Sequence, residues 1–224
     1  MSKLCRKIAS SSKYSAIQPR LCQLEEGHKG RHAEFPFLTA LAKTDKGVAN
    51  KIKRDATMTT GAAWKSEKAG PNRILRWVML LPDKELLKYG LNLAQLGPLM
   101  VRKLKEKAAS YDACMEVAKK LTWLAYQMPG APAPSEDVRA YLEAHFGTMT
   151  LGSTNCLICK GDLPFRYFSD AVRGRAYIET AHSDPRSHSA RNVGFAHREC
   201  NIAQGDKSLG DFYQWLREIL SRVE

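Results

Sequence analysis

Two short pairs of metal-binding side chains constrain this chain more than anything else in it: Cys156-Leu-Ile-Cys159 and, further on, His197-Arg-Glu-Cys200. Each pair sets two soft or borderline ligands on one tight knuckle, and two knuckles together supply the four ligands of a tetrahedral zinc. Whatever fold the last part of the chain takes has to bring these two knuckles together. A lone C-x-x-C is unremarkable, but a second pair makes a structural zinc held by Cys156, Cys159, His197 and Cys200 the expectation. The opening Met-Ser-Lys-Leu-Cys-Arg-Lys runs into Ser and Lys rather than an apolar stretch. No secretory signal is therefore expected, and a reducing cytoplasm, where thiols meet metals more often than each other, is the default compartment.

A second ligand set lies near the N-terminus in the order Cys5-x16-Cys22-x5-His28-x3-His32. His28 and His32, at i and i+4, can share one face of a turn, and the neighbouring glycines let the backbone wrap closely round an ion. The spacing between Cys5 and Cys22 is long for a finger. Residues 1–45 hold few core residues, however, and a small unit of that kind needs a metal staple to fold. Two zinc ions per chain are therefore expected. Cys114 is left over, among Ala113, Met115 and Val117, and reads as a buried structural thiol.

The charge of the chain is as uneven as its cysteines. Lys and Arg exceed Asp and Glu by 12, and ten of those excess charges fall in residues 1–80, where sixteen basic side chains face six acidic ones. Clustered cations repel one another unless something negative relieves them, so the partner is nucleic acid or an anionic membrane surface. No apolar run reaches the roughly 18 residues that a membrane-spanning helix requires. The nearest, Trp77–Leu81, is stopped by Pro82. Candidate contacts to a polyanion are Lys51, Lys53, Arg54, Lys65, Lys68, Arg73 and Arg76.

Four stretches follow from these patterns: an N-terminal zinc-binding segment (1–45), a basic linker (46–80), a helical domain (81–150) and a compact C-terminal unit (151–224). In the third, Lys84–Lys107 and Ser110–Met128 read as two helices, with Tyr111, Met115, Leu121, Trp123 and Leu124 as candidate buried positions. Pro129-Gly-Ala-Pro-Ala-Pro134 stops the second, and Ser135 with Glu136 and Asp137 opens a further helix to about His145. In the C-terminal unit Arg166–Phe168 and Arg175–Thr180 read as strands, and residues 192–204 as a turn into a helix. Ser208 and Asp211 form a capping box that opens a last helix through Phe212, Trp215, Leu216 and Leu220. The fold class is α+β, mainly helical.

Between the knuckles run Tyr177-Ile-Glu-Thr-Ala-His182-Ser-Asp-Pro-Arg and Asn192-Val-Gly-Phe-Ala-His197-Arg-Glu-Cys-Asn201. A C-x-x-C knuckle, a strand ending in histidine, a proline, a loop with asparagine, and a second knuckle followed at once by asparagine resemble the HNH, or ββα-metal, nuclease family in its zinc-stabilised form. The resemblance covers residues 156 to about 207. It implies a ββα-metal module in residues 151–224, with His182 as general base, its unperturbed pKa being close to working pH. Asn192 would orient that histidine or hold the hairpin. Asn201 would offer an oxygen to Mg²⁺ or Mn²⁺, hard ions that prefer oxygen ligands. A literal H-N-H trio of His182, Asn192 and His197 ranks second, because it takes His197 from the zinc. His145 and His188 read as ordinary histidines.

One position departs from the family pattern. The residue before the base is Ala181, where the family carries an acidic or histidine ligand for the catalytic metal. Either Ala181 marks an active-site variant, which is the favoured reading, or Glu179 or Asp184 substitutes, or catalysis has been lost. The resemblance implies a metal-dependent endonuclease acting on double-stranded DNA, foremost a type II restriction enzyme working as a homodimer in the cytoplasm of a bacterial or phage-infected cell. The rivals are a structure-specific phage or mobile-element nuclease and a non-catalytic zinc-stabilised DNA-binding protein.

Overall fold

A computed structural model describes residues 3–10, 20–24, 26–29, 31–60, 73–88, 92–172 and 175–223. A short hairpin of β1 (Ile8–Ser10) and β2 (Arg20–Leu21) precedes the helices α1 (Thr39–Thr44) and α2 (Lys46–Thr57). A second hairpin, β3 (Met58–Thr60) with β4 (Arg73–Leu75), leads to α3 (Asp83–Lys88), α4 (Pro98–Glu106), α5 (Tyr111–Tyr126) and α6 (Glu136–Phe146). The C-terminal part adds β5 (Ala171–Val172), β6 (Arg175–Ala176), β7 (Ile178–His182), β8 (Val193–His197), α7 (Arg198–Gln204) and α8 (Leu209–Val223). Each strand pairs antiparallel with its neighbour, so the fold is α+β, about half helical with small sheets. Among the described residues no helix is long and apolar enough to cross a membrane.

α5 is the axis of the molecule. The Ser110 hydroxyl caps it by accepting from the Ala113 N–H at 3.2 Å. Its first turns, Tyr111, Cys114 and Met115, pack with Trp77, Val78, Leu86 and Leu104 in one apolar core. Its later turns, Val117, Ala118, Leu121 and Ala125, pack with Val48, Ile52 and Ala56 of α2 and with Ala181, Val193 and Phe195 of the β7–β8 hairpin in another. Of the expected buried positions Tyr111, Met115 and Leu121 are buried, while Trp123 and Leu124 are only partly so. Burial pushes the Cys114 thiol up to about 12, which leaves it inert.

The basic stretch from residue 46 does not begin as a linker. Asp45 accepts from the Val48 N–H at 2.9 Å and starts α2, whose Val48, Ala49, Ile52 and Ala56 are buried at helical spacing. The lysines and arginines that made this stretch look solvated sit on the other faces of that helix, and the core fed by α2 joins residues from both sides of positions 45, 80 and 150. Lys84–Lys107 also differs from expectation, being α3, a 3₁₀ turn at Leu93–Gln95 and then α4. Pro98, without an N–H and with a fixed φ, suits the first position of α4 and sets where that second helix begins. α6 begins after Ser135 as expected, although that hydroxyl makes no capping bond. Phe165–Phe168 is a 3₁₀ turn and not a strand, its Phe165 and Phe168 rings meeting edge-on at 5.4 Å. At α8 the Ser208 hydroxyl accepts from the Asp211 N–H at 3.2 Å, the first half of the capping box, but the Asp211 carboxylate accepts from that hydroxyl at 2.7 Å rather than from the Ser208 N–H.

Candidate functional site

β7, β8 and α7 make a compact ββα unit. The hairpin register sets Ile178 opposite His197 and His182 opposite Val193, so the strands open into the loop 183–192 just beyond His182. Asn192 closes that loop. Its Oδ1 accepts from the Asp184 N–H at 2.7 Å, and its Nδ2 donates to the carbonyls of Asp184 at 2.8 Å and Ser187 at 2.6 Å. Asn192 thus holds the hairpin end, and its side-chain hydrogen bonds go to Asp184 and Ser187 rather than to the His182 ring. Gln204 ties α7 to the same place, its Nε2 donating to the carbonyls of His182 and Lys207, each at 2.9 Å.

A cleft of about 270 Å³ lies in front of His182, lined by Arg54 and Asp55 of α2, Arg76, Lys107, Glu179, Thr180, Asn201 and Gln204 among others. His182 and Asn201 therefore share one opening. Burial, and after it the charges of Arg76 and Lys107, push His182 down to about 4, so the ring is neutral at pH 7. Its Nε2 lies 3.0 Å from His188 Nδ1, and His188 Nε2 lies 2.8 Å from the Ala56 carbonyl. Burial, followed by Arg76 and His182, holds His188 at about 2. His188 is thus not an ordinary surface histidine. Nothing in its local sequence marks it, since its anchor at Ala56 is more than a hundred residues away.

Asp55 is the other residue that sequence reasoning did not single out. Its Oδ2 accepts from Thr180 Oγ1 at 3.0 Å and from Lys51 Nζ at 2.9 Å, and its Oδ1 accepts from Arg54 Nε at 2.8 Å. Burial raises its carboxyl, but Lys51 and Arg54 more than offset that and the net shift is downward, so it stays ionised. Lys51 Nζ also stands 3.7 Å from Glu179 Oε2, and Arg198 donates to Glu179 Oε1 at 2.7 Å.

Ala181 has no exposed surface, because its methyl faces the core rather than the cleft. A carboxylate there would be buried within that apolar cluster. Of the named substitutes, Glu179 lines the cleft but is bound to Arg198, and Asp184 accepts from the Arg186 N–H at 3.0 Å within its own turn. The carboxylate beside Thr180 comes from α2 instead.

The basic candidates for a polyanion whose side chains are described, Lys51, Lys53, Arg54 and Arg76, do not form one exposed strip. Arg76 is only 5% exposed, donating from Nη1 to the Lys107 carbonyl at 2.9 Å and from Nη2 to the Asp55 carbonyl at 3.1 Å. Lys53 lies over the Phe35 ring, with 4.9 Å from Nζ to its centroid, and Lys51 and Arg54 engage Asp55. Arg73 is on β4, opposite Thr60. Lys65 and Lys68 lie outside the described residues.

Both Cys/His sets converge. The ligand atoms of Cys156, Cys159, His197 and Cys200 lie within 4.8 Å of one another, and so do those of Cys5, Cys22, His28 and His32. His197 Nε2 donates to the Asp162 carbonyl at 2.9 Å, leaving Nδ1, 3.3 Å from Cys159 Sγ, as the ligand atom. Such an outer hydrogen bond fixes the tautomer a metal-binding histidine needs. His197 is therefore taken up by this cluster, and the literal H-N-H trio is not what the geometry gathers at the cleft. Burial, then the neighbouring thiols, push Cys200 up to about 12, and a divalent cation relieves that crowding by holding thiolates. In the N-terminal set, β1 and β2 account for the long spacing. Cys22 N–H donates to the Lys7 carbonyl at 2.7 Å, which brings Cys22 back beside Cys5. The donor chemistry of both clusters fits zinc.

A family model described as DraIII matches residues 34–200. The chain belongs to the DraIII family. This is a restriction endonuclease family, and the match takes in His182, His188, Asn192 and the C-terminal cysteines while ending one residue before Asn201. The N-terminal Cys/His cluster precedes the matched span. A solved structure described as a type II restriction endonuclease is 49% identical to this DraIII-family chain, with a TM-score of 0.85, covering 99% of this chain and 98% of the other. No match is found among curated proteins.

Proposed function

We propose that the chain is a metal-dependent type II restriction endonuclease of the HNH type, active as it stands, that hydrolyses phosphodiester bonds in double-stranded DNA. The observation that carries this reading is a neutral, buried histidine sharing one cleft with an asparagine on the following helix and a carboxylate from α2. His182 takes a proton from the attacking water, which requires an unprotonated ring nitrogen at working pH. Arg54 and Lys107, at the same cleft, offset phosphate charge. Asn192 keeps the hairpin end in shape, so that the base does not drift from the cleft.

The cleft offers a hard divalent cation oxygen donors in the Asn201 amide and the Asp55 carboxylate, and the ion would take the place on Asp55 that Lys51 now holds at 2.9 Å. Held there by Asn201 and Asp55, Mg²⁺ or Mn²⁺ would supply polarisation of the scissile phosphate and charge relief at the leaving oxygen. Asp55, rather than residue 181, supplies the acidic ligand. Two structural zinc ions serve a separate purpose, one fixing α7 and hence Asn201, the other folding the N-terminal segment. Residues 1–80 grip the duplex through their excess basic charge, while 151–224 carry most of the chemistry, joined at the cleft by Arg54, Asp55 and Lys107. Two copies cut the two strands of a symmetric site. The working compartment is the cytoplasm.

The test is cleavage of a supercoiled plasmid library with Mg²⁺, with and without a chelator. Cutting at one defined sequence, lost with chelator and reduced on the order of 10²- to 10⁴-fold in His182→Ala, supports the proposal. Cutting only at junctions or nicks would move it to a structure-specific nuclease. Salt-dependent DNA binding without any cleavage would make it a non-catalytic binding protein.

A further inference from the structure

We infer that His188 is the positioning residue for the base: it fixes the tautomer and ring direction of His182 so that Nδ1, not Nε2, carries the free lone pair. This rests on the proposal that His182 is the general base and adds to it the part that aims it. A carbonyl oxygen only accepts, so the 2.8 Å contact between Ala56 O and His188 Nε2 puts the proton on that nitrogen. Neutral His188 then has a bare Nδ1, which can only accept. The 3.0 Å contact to His182 Nε2 accordingly puts the proton of His182 on Nε2, and leaves Nδ1 unprotonated. Among the described residues no hydrogen bond reaches His182 Nδ1, so that lone pair is open to a water in the cleft.

The anchor is built for this. Ala56 lies in the last turn of α2, where carbonyls have no partner within the helix. Three of them are taken from outside: Asp55 O by Arg76 Nη2 at 3.1 Å, Thr57 O by the Arg76 N–H at 2.9 Å, and Ala56 O by His188. His188 is 6% exposed, so no water readily substitutes for it. Without it the Nε2 side of His182 has no acceptor, and the ring is free to populate the other tautomer, whose lone pair points away from the cleft.

The full-length protein tests this with His188→Leu and His188→Asn, whose Oδ1 can stand where Nδ1 stood and still accept from His182. Cleavage of a plasmid carrying the cut site gives kcat and KM separately, and nitrogen-15 spectra of the imidazoles give the tautomers directly. His188→Leu should lose about 10- to 100-fold in kcat with KM nearly unchanged, the scale expected of a misaimed catalytic group. His188→Asn should recover most of that loss. His182 should be purely the Nε2–H form in wild type and His188→Asn, and a mixture in His188→Leu. A merely structural role would move melting temperature equally in both variants without this split. A His188→Leu enzyme with wild-type kcat, or a wild-type His182 protonated on Nδ1, overturns the inference while leaving His182 as base if His182→Ala is inactive. Full activity of His182→Ala would instead sink the underlying proposal. Should His188→Leu fail to fold, the wild-type spectrum still decides.

Discussion

Lowering the pH from 7 to 5 should cost the wild-type protein about 2 kcal/mol more stability than it costs His188→Leu. The folded chain keeps His188 neutral, at about 2, because of burial and the nearby Arg76 and His182. The unfolded chain protonates it at the ordinary value of about 6.5. Below that value the unfolded state binds a proton that the folded state refuses, so acid favours unfolding. The stability is intact above pH 6.5 and drains away as the pH falls toward the folded value. Each full unit within that window costs about 1.4 kcal/mol, and the partial titration near pH 6.5 brings the interval from 7 to 5 to about 2 kcal/mol. Only a folded value below 5 is needed for the arithmetic. The zinc ligands titrate in both proteins and cancel in the difference, and His182, which touches His188, cancels when its own acid limb stays below pH 5 in the variant, which the variant's pH–rate profile measures. Urea denaturation followed by circular dichroism at the two pH values, with zinc in excess, measures it. Equal losses in the two proteins would mean that His188 accepts its proton inside the folded chain, and the reasoning from its burial would be wrong.

The same depression of His182 to about 4 predicts a kcat/KM that stays near its plateau down to about pH 5, where an ordinary histidine base would have lost all but a few per cent of its neutral form. A pH–rate profile with its acid limb near 6.5 would contradict it. Ala181→Asp should lower stability by several kcal/mol and give no gain in cleavage, because the new carboxylate faces the core; a faster enzyme would return residue 181 to the cleft. Asp55→Asn should weaken Mn²⁺ binding in calorimetry as well as cleavage, and unchanged metal affinity would remove Asp55 from the cation site. Elemental analysis should find two zinc ions per chain, falling to one in either Cys22→Ser or Cys156→Ser.

What the sequence disclosed depended on how local the signal was. The two knuckles, the Ser208–Asp211 cap and the buried side of α5 are readable within a few residues, because coordination, capping and helical periodicity are short-range. α2 was hidden for a different reason. Its Val48, Ala49, Ile52 and Ala56 do repeat at helical spacing, but the lysines and arginines between them drew the reading toward a solvated linker. Arg76 misled in the same way, since a charge count does not tell a surface cation from one bonded to two carbonyls in the interior. Arg166–Phe168 reads as a strand in the sequence, although Pro164 before it and the i, i+3 pair of Phe165 and Phe168 rings suit a tight turn. Asp55 and His188 carry no local pattern at all. Their roles arise from contacts with Thr180 and Ala56 that only the packed chain creates.

The Ala56 carbonyl also bears on how the C-terminal unit could be reused. Taken as a cassette beginning at residue 151, the ββα unit would leave with its own cysteines and His197 intact and would still look complete by motif. It would have left behind the helix end that His188 leans on and the carboxylate that Thr180 greets. Grafts of this hairpin onto another scaffold should therefore travel with α2 or with a designed replacement for its last turn, since half of what surrounds the histidine belongs to the other end of the chain.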